Sequence, residues 1–146
     1  MTGPPGSSRP RALRLVLPCN LSEVRIAAQA VRRFLAEQGC VGEELMDYEL
    51  ALVEGCNNAV KHVGASGRKK PVIVEVLCED QQVEMRVTDH TYGFEWPKKV
   101  ALPDGESESG RGLYLIKSLM DYTNYLRSPE ENLLVMRKRR DGLDLP

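Results

Sequence analysis

Residues 48–63 read Tyr48-Glu49-Leu50-Ala51-Leu52-Val53-Glu54-Gly55-Cys56-Asn57-Asn58-Ala59-Val60-Lys61-His62-Val63. Placed on a helix at about 100° per residue, Tyr48, Leu52, Cys56, Ala59 and Val63 share one face, flanked by Leu50, Val53 and Val60. Most of this helix therefore asks for burial. Its polar groups are confined to one narrow stripe: Asp47, Glu54, Asn58, Lys61 and His62, interrupted only by Ala51. Glu54 and Asn58 are four residues apart, so their side chains stack one turn over the next. A carboxylate and a carboxamide on a largely buried helix need polar partners, because burying them unpaired is costly.

Upstream, MTGPPGSSRP (Met1 to Pro10) is rich in Pro, Gly and Ser and is expected to be a disordered tail, with residues 11–146 forming one domain. Leu13, Leu15 and Leu17 alternate with Arg14 and Val16, a first strand that ends at Pro18. Asn20 or Ser22 can cap a helix running to about Gln38, with Gly39 as its stop. Val24, Ala28, Val31 and Leu35 make one apolar stripe on it, and Ile26, Ala30 and Phe34 a second, which predicts contact with two neighbours. Gly42-Glu43-Glu44 opens the second helix, and Gly64-Ala65-Ser66-Gly67 ends it.

Downstream, Pro71 to Leu77 and Val83 to Thr88 read as strands joined by a short connection, hence an antiparallel hairpin. Asp89 falls at the end of the second strand. After Thr91-Tyr92-Gly93-Phe94 comes an irregular stretch from Glu95 to about Ser109, long enough to serve as a lid or binding loop. Trp96 and Pro97 within it are placed to pin that lid or to anchor a partner. Gly110-Arg111-Gly112 then leads into a third helix with Leu115, Ile116, Leu119 and Met120 inward. Tyr122 to Leu126 and Leu133 to Arg137 form a last hairpin around Ser128-Pro129-Glu130-Glu131. The order β-α-α-β-β-loop-α-β-β predicts an α+β fold: a two-layer α/β sandwich with three helices on one face of a mixed, mainly antiparallel sheet.

Composition narrows the function classes. The 146 residues are 42% hydrophobic and 28% charged, and 20 basic against 21 acidic groups leave a net charge of -1. No global field attracts nucleic acid or anionic lipid, and the short run Arg137-Lys138-Arg139-Arg140 reads as a solvated strand end. Cys19, Cys40, Cys56 and Cys78 form no C-x-x-C pair, which argues against zinc and a disulfide framework. Cys56 and Cys78 read as small buried hydrophobes, as suits a reducing cytosol. No apolar run approaches the ~18 residues of a membrane span, and no signal core opens the chain. A cytoplasmic protein without direct nucleic-acid or membrane contact is expected.

Three pieces carry chemistry: Glu54-x-x-x-Asn58 on a helix, Asp89 at a strand end followed by Gly93, and a Gly-x-Gly at the mouth of a helix. Backbone N–H groups and the helix dipole favour phosphate at such a mouth, and an oxygen ligand beside it suits Mg2+. In this order the pieces resemble the Bergerat-fold ATPases of the GHKL superfamily, and within it the anti-sigma-factor serine/threonine-protein kinases of bacterial partner-switching systems. The resemblance spans about Leu13 to Arg137. ELALVEGCNNAVKH is similar to the family's N box, VTDHTYGFE to its first glycine box and SGRGLYLIKSLMD to its second.

The resemblance implies Glu54 as the general base toward an acceptor hydroxyl and Asn58 as the side-chain ligand of Mg2+. It implies Asp89 as acceptor for the adenine amino group, Gly93 as a wall of the adenine pocket, and Gly110, Arg111 and Gly112 as the phosphate lining of an ATP/ADP site. Lys61, on the same stripe as Asn58, is placed either to hold a phosphate or to pair with an acid. Two positions depart from the family pattern: Thr91 replaces the first glycine of D-x-G-x-G, and Glu130-Glu131-Asn132 stands where a Gly-Thr pair usually helps fix adenine. The implied activity is that of an ATP-dependent protein-serine kinase and anti-sigma factor, which phosphorylates a STAS-type antagonist, sequesters a sigma factor and pairs as a homodimer. A non-catalytic, nucleotide-dependent partner-switch module is the alternative, and a stand-alone ATP hydrolase a third reading. His62 and His90 are the only histidines, and the helical dimerisation hairpin that a sensor kinase needs is missing; His62 reads as a hydrogen-bonded helix end.

Overall fold

The computed structural model describes residues 11–61, 70–90 and 108–140, with side chains from residue 112 onward in the last segment. The element order is β1 (Arg11–Leu17), α1 (Leu21–Glu37), α2 (Gly42–Lys61), β2 (Val72–Cys78), β3 (Gln82–Asp89), α3 (Glu108–Leu119), β4 (Tyr122–Arg127) and β5 (Asn132–Arg139). The five strands form one sheet in the order β1-β2-β3-β5-β4. Every described pairing is antiparallel, so the sheet expected to be mixed and mainly antiparallel has no parallel pair among the described residues. The expected tail before Arg11, the helix-ending glycines 64–67 and the loop after His90 lie outside the described residues.

Local chemistry sets the boundaries. Asn20 caps α1 by accepting a hydrogen bond from the Ser22 amide at 2.8 Å. Gly39 ends the helix with φ +97°, a backbone conformation that side chains resist. In β2, Val72, Val74, Val76 and Cys78 are buried while the residues between them are half-buried, the period-two signature of a sheet with one covered face. The register stacks Val74 beside Val87 and Val76 beside Met85, and Leu134 and Met136 continue those rows on β5. Onto these rows α2 lays Tyr48, Leu52 and Cys56, each fully buried. A side chain such as that of Leu52 contributes about 1.5–3 kcal/mol when withdrawn from water.

Gly55 decides how close that approach is. A Cβ at this position would stand 3.0 Å from Leu134 Cδ2 and 3.4 Å from Met136 Cε. Glycine in a helix interior costs about 1 kcal/mol relative to alanine, and here it lets α2 settle directly onto β3 and β5. Within the helix Tyr48 Oη donates to Glu44 Oε1 at 3.2 Å, and Lys138 on β5 ties the helix to the sheet by pairing with Asp47 at 3.7 Å. Arg32 on α1 pairs with Glu49 on α2 at 2.5 Å.

Several expectations are corrected. Ile26, assigned to a second buried stripe of α1, is 58% exposed, and Ala27 is buried instead. The Arg137–Arg140 run is not a solvated end: Arg137 bonds Glu84 at 2.5 Å, Lys138 reaches Asp47, and Arg140 bonds two backbone carbonyls. Strand β5 therefore stays regular to Arg139. Helix α3 begins at Glu108, so Gly110, Arg111 and Gly112 lie inside its first turns rather than ahead of them. Leu113, left out of the expected inward set, is buried.

Candidate nucleotide and phosphoryl-transfer site

The polar stripe of α2 faces the start of α3. Asn58 is 95% buried, with 5% of its surface exposed, and Glu54 is half-buried. The bare Cα of Gly112 lies directly over them. A Cβ there would stand 2.7 Å from Glu54 Oε2 and 3.6 Å from Asn58 Nδ2. Any side chain at 112 would enter the space that the carboxylate uses. Gly112, expected from the resemblance to line the phosphates, is thus placed against Glu54 and Asn58.

Asn58 Nδ2 is buried with no hydrogen-bond partner among the described residues. Leaving such a group unsatisfied costs about 1–3 kcal/mol, so a polar partner on that side would be stabilising. Amide orientation is a matter of which end the surroundings select; rotated, the same carboxamide presents its oxygen, the atom type a hard divalent cation prefers. Among the described residues no three His, Cys, Asp or Glu side chains converge on one point. The donor set here is one carboxamide and one carboxylate, which suits a cation that draws its other ligands from phosphate and water.

The second arm of the site is the end of β3. Asp89 is its last residue and is buried; its Cα partner across the ladder is Asn132, the first residue of β5. Asn132 Nδ2 donates to Asp89 Oδ1 at 2.9 Å. Because a carboxylate only accepts, this bond fixes which end of the Asn132 amide faces Asp89. A cleft lined by Gly55, Asn58, Ala59, Val87, Asp89, Tyr125 and Leu134 connects the two arms. It is narrow, about 10 Å³, so its walls must part to admit a purine ring. A far broader groove of about 1010 Å³ lies at the opposite end of the sheet, between Glu79, Tyr122 and Arg139. None of the candidate site residues lines it, whereas Asn58 and Asp89 line the narrow cleft.

The remaining sites expected from the sequence are placed as follows. Lys61 is the last residue of α2 and exposed, three residues beyond Asn58 on the same stripe. Gly110 and Arg111 lie on the backbone of the first turn of α3, and the Arg111 side chain falls outside the described residues. Gly93, together with Thr91, Trp96, Pro97 and His62, also lies outside them. His90 is structural: its Nδ1 sits 3.2 Å from the Pro71 carbonyl, and, since that oxygen only accepts, Nδ1 carries the proton. Two residues escaped the sequence reading in their full role. Gly55 carries a local signal, a glycine inside a strongly apolar helix, that can mark a close approach, whereas the pairing of Asn132 with Asp89 depends on strand register and has no local signature.

A model of the histidine kinase-like ATPase domain matches residues 17–138 of the chain. The serine-protein kinase RsbW of Bacillus pumilus is 29% identical over 120 residues, covering 75% of this chain and 74% of that protein. RsbW of Bacillus subtilis is 25% identical and RsbW of Listeria monocytogenes 27%, each over 118 residues. Among solved structures, the RsbU and RsbW domains of Rv1364c from Mycobacterium tuberculosis superpose with a TM-score of 0.70 at 21% identity, covering 89% of this chain and 32% of that one. The SiaB-SiaC complex from Pseudomonas aeruginosa gives 0.63 at 16% identity, covering 87% and 89%. These two establish the likeness of fold.

Proposed function

The chain belongs to the histidine kinase-like ATPase domain family, and on that footing we propose that it is an ATP-dependent protein-serine kinase of a partner-switching system. The observation that supports this reading best is the contact of Gly112 with Glu54 above the buried Asn58 amide. It brings a carboxylate, a hard-oxygen ligand and a helix N-terminus to one place. Phosphoryl transfer asks the protein chiefly for positioning and charge neutralisation, and those three groups supply both.

In this reading Asp89 accepts a hydrogen bond from the exocyclic amine of adenine, with Asn132 holding its carboxylate in place. The polyphosphate lies toward the N–H groups of residues 108–111, where the α3 dipole favours negative charge; Arg111 and Lys61 add positive charge at its edges, and Gly93 borders the base. Asn58 is the side chain that would hold Mg2+, which when bound neutralises phosphate charge. Glu54 orients the attacking serine hydroxyl and accepts its proton as the serine oxygen bonds to the γ-phosphorus and the bond from that phosphorus to the bridging oxygen breaks, releasing ADP. The protein acceptor is a STAS-type antagonist, and the second partner a sigma factor held according to the nucleotide state. Val16 and Ile26, 53% and 58% exposed, offer apolar surface for a homodimer. No described helix is long and apolar enough to cross a membrane, and we place the protein in the cytoplasm.

The test is incubation with γ-labelled ATP, Mg2+ and a purified STAS-type antagonist. Label on a serine of the antagonist, falling by about 10²-fold or more in Glu54→Gln, is the expected result. ATP binding without any transfer would remove the kinase assignment. The narrowness of the base cleft favours one second reading, a module that switches partners without transferring phosphate; partner binding undiminished in Glu54→Gln, with no phosphorylation by the parent, would select it.

A further inference from the structure

At the opposite end of the sheet from Asp89, two of the four cysteines meet. Cys40 follows the α1 terminus and Cys78 ends β2. Both are buried and both are free thiols, and each is the neighbour that most perturbs the other's titration. Arg140 holds their two segments together: its Nη2 donates to the Gln38 carbonyl at 2.6 Å and its Nη1 to the Glu79 carbonyl at 3.1 Å. Arg11, the Cα partner of Cys78, donates to Gln38 Oε1 at 2.6 Å. The two segments that carry the thiols are thus clamped together by bonds that involve neither sulfur. The nucleotide-site residues use none of these groups.

We propose that Cys40 and Cys78 are a peroxide-oxidisable dithiol, a modification site that closes to an intramolecular disulfide between the α1–α2 turn and the end of β2. Buried cysteines are ordinarily inert, and reactive ones sit among positive charges. Here the hydrogen bond from Cys40 favours the Cys78 thiolate; burial opposes it, and the Arg140 and Arg11 guanidiniums favour it further, so Cys78 is shifted down from the usual thiol range. The same contact, with burial and the Glu44 carboxylate, shifts Cys40 up. Tyr48, bonded to Glu44, completes the titratable groups around the pair and stays protonated, because burial and Glu44 push it up. The asymmetry assigns roles. Cys78 Sγ attacks one oxygen of hydrogen peroxide, the O–O bond breaks, and hydroxide leaves to take up a proton as water. Cys40 Sγ then attacks the Cys78 sulfenic sulfur, giving up its own proton, and the displaced oxygen departs as a second water. Two thiols lose two electrons and peroxide gains them.

The experiment treats the intact protein with hydrogen peroxide and maps its peptides without reduction, alongside a thiol count in denaturant. The expected result is a Cys40–Cys78 linked peptide, a fall from four thiols to two, full reversal by dithiothreitol and a rise in Tm of the oxidised form. In Cys40→Ser the expected product is a Cys78 sulfenic acid trapped by dimedone; in Cys78→Ser the intramolecular link is lost. The proposal is overturned if Cys40 and Cys78 both remain alkylatable after unfolding while the more accessible Cys19 has been oxidised. Links found only between molecules through Cys19 would overturn it equally.

Discussion

Gly112 on α3 leaves room for the Glu54 carboxylate on α2: a methyl group built on its Cα would stand 2.7 Å from Oε2. Gly112→Ala therefore separates catalysis from stability. Alanine gains about 1 kcal/mol of helix propensity, which offsets the ~0.5–1.5 kcal/mol of turning Glu54 away from its rotamer. The Tm should stay within a few degrees, while phosphotransfer falls by about 10²-fold through misplacement of the carboxylate. Thermal melts and a transfer assay on the same preparation check this, and unchanged transfer would refute the contact's role.

Asn132 and Asp89 form a buried pair joined at 2.9 Å. Asn132→Ala removes the donor and leaves the Asp89 carboxylate with one bond fewer, a loss of about 1–3 kcal/mol in stability. Because that same carboxylate is assigned to the adenine amine, ADP affinity should fall as well, by about tenfold for each 1.4 kcal/mol. Chemical denaturation and calorimetry with ADP measure the two effects separately. A stability loss with unaltered ADP affinity would confine Asn132 to the fold.

Glu84 is buried on the face of the sheet away from the helices, between Arg86 at 2.6 Å and Arg137 at 2.5 Å. Burial acts to raise its pKa, but hydrogen bonds from the two guanidiniums outweigh it and the carboxyl sits below its ordinary 4.5. A carboxyl held lower in the folded than in the unfolded state adds stability above its unfolded value. That contribution disappears as pH falls through the folded value. Melting curves from pH 7 downward should show an acid-labile component below about pH 4.5, and Glu84→Gln should flatten it. An identical pH profile in the variant would show that the pair contributes nothing.

Helices and strands were legible because their signatures are local. The alternation in β2 and the apolar face of α2 each follow from a periodicity within one segment, and the Asn20 cap and Gly39 stop from single residues. The stripe holding Glu54 and Asn58 was legible for the same reason. What the sequence could not carry was contact between segments. Ile26 fits a helical stripe as well as Ala27 does, and only the position of the sheet decides which is covered. The Arg137–Arg140 run appears solvated until the strand register places Arg137 beside Glu84 and α2 brings Asp47 to Lys138. The start of α3 at Glu108 was hidden because glycines at 110 and 112 argue locally against helix, and the close approach of α2 overrides that propensity.

The central claim is that a nucleotide lies between α2, the end of β3 and the first turn of α3. A crystal structure with a non-hydrolysable ATP analogue and Mg2+ tests it most directly. The account predicts the adenine amine on the Asp89 carboxylate, the terminal phosphate against the amides at the start of α3 and within reach of Glu54, and the Asn58 oxygen turned toward the metal. An analogue seated in the broad groove at the other end of the sheet, or a motif cleft that stays closed at saturating analogue, would contradict it.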